Sequence, residues 1–149
     1  MTRGRFIAGL LAGATMVALA GRPAAEGNGA AVLRVIVNPH NHADFVERKF
    51  LTDVFLKKVT RWGNMEAIRP VDQRSDSPIR ASFTVAIMRR SVEAVKTYWQ
   101  QAVFSGRDIP PPELESDDDV IRYVLRNPGA VGYVSGTADL RGARVLVVR

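Results

Sequence analysis

The residues best suited to chemistry lie together in the run Val71-Asp72-Gln73-Arg74-Ser75-Asp76-Ser77-Pro78-Ile79-Arg80. The pattern reads as a strand end, a short polar loop and a helix start. Ser77 is a good N-cap, and Pro78 suits the first helical position, where its fixed φ helps and its missing N–H leaves nothing orphaned. The first N–H groups of a helix carry partial positive charge and point outward, which is how proteins build anion sites. Arg74 and Arg80 flank that turn. The chemistry expected here is the non-covalent holding of a small anion.

Other polar clusters are less suited to a ligand. His40-Asn41-His42 with Asp44 offers nitrogen and oxygen donors, but these are the only two histidines, and a fourth metal ligand has no obvious source. A polar loop at a strand end is the expected role, and no metal site. Asp117, Asp118 and Asp119 follow Ser116, and carboxylates in a first helical turn complement the dipole rather than collect cations. Trp62, Tyr98, Trp99 and Tyr133 are spaced for core and turn packing. The chain has no cysteine, no histidine beside a plausible Ser and Asp pair, and no glycine-rich nucleotide loop. These residues therefore point to no enzyme and no cofactor.

Alternating elements must position the loop. Val32 to Val37 is a nearly continuous apolar run, the mark of a strand covered on both faces, and Asn38-Pro39 stops it. A helix is expected from about Ala43 to Lys57, with Phe45, Val46, Phe50, Val54 and Phe55 on its apolar side. Arg61 to Met65 reads as a turn around Gly63-Asn64. The strand Ala67 to Val71 holds Pro70, which argues for an edge position. Helices follow from Pro78 to about Arg89, with Ile79, Phe83, Ala86 and Ile87 as the buried stripe, and from Val92 to Gln101 behind a Ser91 cap, with Val95, Tyr98, Trp99 and Ala102 inward. Residues 104–112 form an irregular connection stiffened by Pro110, Pro111 and Pro112. Ser116 caps a last helix running to about Asn127, with Asp119 completing a capping box. Ala130 to Val134 and Arg144 to Val148 close the pattern as strands. The fold class is α/β, a mixed or parallel sheet flanked by helices.

The first residues read as an address rather than as fold. Met1 to Arg5 is basic, Phe6 to Ala20 is apolar, and Ala18-Leu19-Ala20 has the small-x-small spacing of a signal-peptidase site. Fifteen residues are short for a membrane span, where about 20 are needed. The expected organisation is a cleaved signal peptide over 1–20, a flexible Gly, Ala and Pro-rich tail over 21–31, and an α/β domain over 32–149. The absence of cysteine excludes a lipoprotein anchor, and no stable membrane anchor is expected. A periplasmic protein is the expected outcome. The net charge of +6 suits an anionic partner. Only Lys57-Lys58, Arg61 and Arg89-Arg90 cluster, without the interleaved aromatics of a nucleic-acid face, and no nucleic-acid partner is expected.

Three phrases in order resemble one family. Phe55-Leu56 before Thr60-Arg61-Trp62-Gly63 resembles the "F-x-G-x-x-x-x-W" segment of phosphate-type ABC-transporter solute-binding proteins. Val71 to Ser77 resembles their "R-S-D-G-S-G-T" anion loop, and Pro128-Gly129-Ala130-Val131-Gly132-Tyr133-Val134 resembles their "P-G-A-I-G-Y-V" strand. The likeness covers about residues 32–148 and corresponds mainly to the family's second lobe. Since residues 1–31 read as a leader and tail, a single periplasmic-binding-protein-like lobe is expected.

The resemblance implies that Arg74 matches the ligand-pairing arginine and Ser77 a serine hydroxyl donor. Ser75 lies inside the motif, and Ile79 contributes a backbone N–H. Ser77-Pro78-Ile79 replaces the family's Gly-Ser-Gly-Thr, so the cradle has fewer donors. The implied function is a non-enzymatic, exported solute-binding-like domain that takes phosphate or a related oxyanion weakly. An ABC permease, a chain supplying the other lobe, or a second copy would be its protein partners. The alternative is a periplasmic protein-interaction domain that kept the fold and lost the ligand.

Overall fold

The computed structural model describes residues 31–149. The expected signal peptide and all but the last residue of the tail lie outside the described residues. The central strand is β1 (Leu33–Val37), and its side chains alternate between two cores. Val35 and Val37 face one cluster with Val54, Phe55, Phe83 and Trp99, whereas Ile36 faces a second with Val120, Ile121 and Val124. Burial on both faces is why the strand, Arg34 apart, reads as an apolar run.

A two-residue strand β2 (Phe45–Val46) precedes the helix α1 (Arg48–Phe55). The sequence periodicity predicts helix from Ala43. The structure corrects this, because Phe45 and Val46 pair in parallel with Val147 and Val148 near the end of the chain. Backbone pairing with a distant strand overrides the local period there. Phe45 is half exposed, with the Arg149 guanidinium 4.0 Å above its ring.

Arg61 and Ala67 bridge across the Gly63-Asn64 turn into β3 (Arg69–Pro70). This strand is an edge, as Pro70 requires. A further short strand, β4 (Asp72–Gln73), then pairs in parallel with β5 (Glu113–Leu114).

Between those two strands lie α2 (Pro78–Phe83), a π-helical turn over Thr84–Met88, and α3 (Val92–Phe104). The expected single helix to Arg89 is therefore two windings in series. Arg89 ends it in the left-handed region with φ 56°, and Ala86 is exposed rather than buried. Ser91 caps α3 by accepting from the Ala94 N–H.

The last helix, α4 (Asp117–Arg126), has Ser116 as its cap and Asp119 bonded back to Ser116. It leads into β6 (Ala130–Ser135), β7 (Arg144–Val145) and β8 (Val147–Val148). The expected last strand breaks at buried Leu146 because its two halves join different sheets.

The main sheet has the order β3-β6-β1-β7. β1 runs antiparallel to both β6 and β7, and β3 runs parallel to β6. The sheet is mixed and flanked by helices on both faces, as the alternating pattern predicts. No helix among the described residues is long and apolar enough to cross a membrane.

Candidate functional site

The Arg74–Ile79 turn sits where β4 ends and α2 begins. Ser77 is the N-cap, its Oγ accepting from the Arg80 N–H at 3.4 Å and donating to Gln73 Oε1 at 2.8 Å. The Ser77 N–H returns to the Arg74 carbonyl at 3.0 Å, which closes the turn. Among the described residues the backbone N–H groups of Ser75, Asp76 and Ile79 take no partner. Only the Ile79 N–H is a donor that the helix start leaves over; the other two belong to the turn before the cap.

The turn is held from behind by Gln73. Its backbone N–H donates to the Tyr133 hydroxyl at 3.2 Å, and its Nε2 donates to Asp117 at 2.7 Å and to the Tyr133 carbonyl at 3.0 Å. Asp117 in turn accepts from the Ser135 N–H and hydroxyl. The first carboxylate of the Asp117-Asp118-Asp119 run thus does more than complement a dipole: it ties α4 to β6 and to the back of the turn.

A buried charge cluster lies below. Arg80 donates to the Gln73 carbonyl at 2.6 Å and to Glu113 at 2.7 Å, and it stands 3.4 Å from the Asp72 carboxylate. The Tyr133 hydroxyl donates to the other Asp72 oxygen. Burial pushes the Asp72 carboxyl above its ordinary value despite the opposing pull of the Arg80 charge and the Tyr133 bond. Burial and the Asp72 charge push the Tyr133 phenol up as well, so it remains a donor. The sequence reading has Asp72 and Gln73 in a polar loop and Arg80 as a flanking cation at the turn. All three are buried, because Arg80 supplies the charge that lets Asp72 enter the core. The signal was present in the spacing: Arg80 falls three residues before Phe83, on the same inward face.

The four candidate anion residues are not all aimed at one point. Ser75 and Ser77 line a depression of about 350 Å³ together with Asp76, Pro78, Ala81, Val85 and Glu93. Arg74 and Ile79 do not line it. The Arg74 side chain is half exposed and turns to Asp76 at 2.7 Å and Glu115 at 3.1 Å. The hydrogen bonds that its guanidinium donates to these two carboxylates raise its pKa further and hold it in the charged form. One cation between two anions leaves the rim of the turn with a net negative charge.

The two histidines sit elsewhere. The His40 backbone N–H donates to Asn38 Oδ1, and His42 lines a separate small depression beside Trp62 and Asn64. No three His, Asp or Glu side chains converge as metal ligands among the described residues. Trp62 and Trp99 are both buried in the larger core, and Tyr133 stacks on Phe83 with centroids 3.9 Å apart. They form no exposed aromatic platform.

The fold is that of a single periplasmic-binding-protein-like lobe. It superposes on an ABC-type phosphate transport receptor from Vibrio cholerae with a TM-score of 0.61, at 19% identity over 79% of this chain and 46% of that one. PstS from Borrelia burgdorferi gives 0.62 at 13% identity, with 80% of this chain and 47% of that one covered. A possible phosphate binding protein from Planctomyces limnophilus DSM 3776 gives 0.60 at 18% identity, covering 80% and 43%. The chain spans about half the length of the solved structures it matches. No protein-family model matches the sequence, and no curated relative does.

Proposed function

We propose that this chain is one lobe of a solute-binding-type protein, working without catalysis in the periplasm, and that its Arg74–Ile79 turn meets phosphate or a related oxyanion. The observation that carries this reading is that one short turn keeps several donors close in sequence, although they are not all aimed at one point. Three unclaimed N–H groups, on Ser75, Asp76 and Ile79, accompany the Ser75 and Ser77 hydroxyls and the Arg74 guanidinium. The names of the structural neighbours, which are phosphate receptors and binding proteins, favour the same ligand class.

Electrostatics set the affinity low. An incoming anion must draw Arg74 away from Asp76 and Glu115, and Pro78 adds no donor. A lobe acting alone would also leave half of the ligand in water. Weak, fast binding follows, in the millimolar range where the free energy is about −4 kcal/mol.

Calorimetric titration of the full chain with inorganic phosphate tests the reading. Saturable heat that disappears in Arg74→Ala supports it. An absence of heat at millimolar phosphate, with the variant identical to the parent, overturns it. Cell fractionation tests the periplasmic placement, where cleavage after Ala20 is the expected processing.

A second reading has its own observation. Arg74 is already satisfied by two carboxylates within the fold, as expected of a domain that kept the architecture and lost its ligand. That reading calls for a lasting partner, such as an ABC permease, a chain carrying the other lobe, or a second copy. Light scattering and pull-down from periplasmic extract separate it from the first: a partner-free monomer counts against it.

A further inference from the structure

One face of α3 is left to solvent along its whole length. Glu93, Lys96, Gln100 and then Val103 and Phe104 recur at helical spacing, so they share one exposed stripe. Arg107 lies just past the end of the helix, where its Nε donates to Ser105 Oγ at 3.0 Å. Phe104 is 96% exposed, and Ile109 on the proline strap that follows is 66% exposed. Val103, Phe104 and Pro110 line a groove of about 420 Å³ that continues to Trp99 and Lys96. Apolar side chains gathered at one groove, unlike those scattered singly, mark an interaction surface.

The charges on this stripe are arranged as their own complement. Glu93 stands in the first turn and Arg107 beyond the last, and neither has an ion-pair partner among the described residues. A second α3 laid antiparallel, Gln100 against Gln100, sets Glu93 opposite Arg107 at both ends. The same alignment sets Phe104 opposite Lys96, because each lies four residues from Gln100. A parallel alignment would instead oppose Glu93 to Glu93 and Arg107 to Arg107, with the two helix dipoles in the same sense.

We infer that the α3 face pairs with a second copy of this chain about a two-fold axis at Gln100. Phe104 of each copy enters the groove of the other, with the partner's Lys96 ammonium against its ring. Charge complementarity selects this occupant, because the face matches itself in one orientation only. An anionic surface is a poorer match, since Glu93 lies within one turn of Lys96. A standard interface takes about 20–30 residues from each side, more than one helix and a strap provide, so the pair forms reversibly. The pairing gives the interaction-domain reading a partner but does not rest on it: a chain that holds phosphate at Arg74 can pair through this face as well.

Sedimentation of the full chain across a concentration series tests the pairing, with phosphate calorimetry on the same samples testing Arg74 separately. A reversible dimer is expected, unchanged by phosphate. Phe104→Ser, at a position already open to water, should weaken it about tenfold or more. Glu93→Arg and Arg107→Glu should each weaken it, and the double variant that exchanges the two charges should recover most of the loss. The chain has no cysteine, so Gln100→Cys is a clean reporter of the axis. It should oxidise to a covalent dimer faster than Gln101→Cys, because only residues at the axis meet their own copy within disulfide reach. A chain that stays monomeric at every concentration overturns the proposal, as does a Gln100→Cys that links no faster than Gln101→Cys. Association that survives Phe104→Ser, or that the charge exchange fails to restore, also overturns it and assigns the contact to another surface.

Discussion

The Tyr133 hydroxyl in β6 donates to the Asp72 carboxylate in β4, and the same oxygen accepts from the Gln73 N–H. One phenol thereby satisfies two buried polar groups directly beneath the Arg74 turn. Its ring lies flat on Phe83 of α2 at 3.9 Å, so sheet, short strand and helix meet at this side chain.

Tyr133→Phe keeps the stacking and removes the donor. The Asp72 oxygen that faces away from Arg80 and the Gln73 N–H then lose their partner in the interior, at a cost of about 1–3 kcal/mol. Urea unfolding should show the midpoint falling with an unchanged slope. A midpoint equal to the parent's would mean that water replaces the hydroxyl.

The raised Asp72 pKa gives a signed pH dependence. The folded state binds this proton more tightly than the unfolded chain does. Stability from this group is therefore fully present below the ordinary carboxyl value and is lost as pH rises through the raised one. Asp119 opposes it, because its bond to Arg122 lowers its pKa and the associated stability is lost as pH falls. The difference between parent and Asp72→Asn isolates the first effect: measured by denaturant titration, it should favour the parent most at acid pH and shrink as pH rises.

Removing the carboxylates that hold Arg74 should strengthen anion binding. Asp76→Asn with Glu115→Gln turns one cation between two anions into an unopposed cation. Phosphate affinity should rise about tenfold, equivalent to ~1.4 kcal/mol. Calorimetry showing no gain would place any phosphate contact away from Arg74.

Ser77→Ala removes the cap that closes the turn. The Arg80 N–H and Gln73 Oε1 both lose a partner, and a lost N-cap costs about 1 kcal/mol. Ser77→Asn, which can still accept from the helix N–H, should recover most of the loss in thermal unfolding.

Gly129→Ala should disrupt the entry to β6. A Cβ there would sit 1.9 Å from the Ala67 carbonyl oxygen, a backbone atom of the residue that bridges to Arg61. The cost is expected at the upper end of overpacking, about 3 kcal/mol, and is read from the unfolding midpoint.

The sequence carried more of the architecture than of the site. The caps at Ser77, Ser91 and Ser116 were readable because capping is local chemistry, and all three hold. The edge position of β3 followed from Pro70 alone. Phe45 and Val46 were misleading, because their helical spacing is real and only the distant Val147-Val148 strand overrules it. At the site, the turn and its N-cap were legible. The pairing of Arg74 with Glu115, forty-one residues away, had no local trace. Nor did the role of Asp117, whose partners Gln73 and Ser135 come from two other elements. Long-range electrostatics is set by the packing, and periodicity does not report it.

The strand order also governs the time course of folding. β1 is the first of the described strands to be made, yet its partners on both sides come from ~100 residues later in the sequence. Joining such distant segments carries a loop-closure cost that grows with the logarithm of the separation and slows the search for native pairs. During synthesis, at roughly 5–20 residues per second, this apolar strand waits several seconds with both edges unpaired. Its exposure to wrong partners in that interval is a liability that the topology places on Leu33 to Val37.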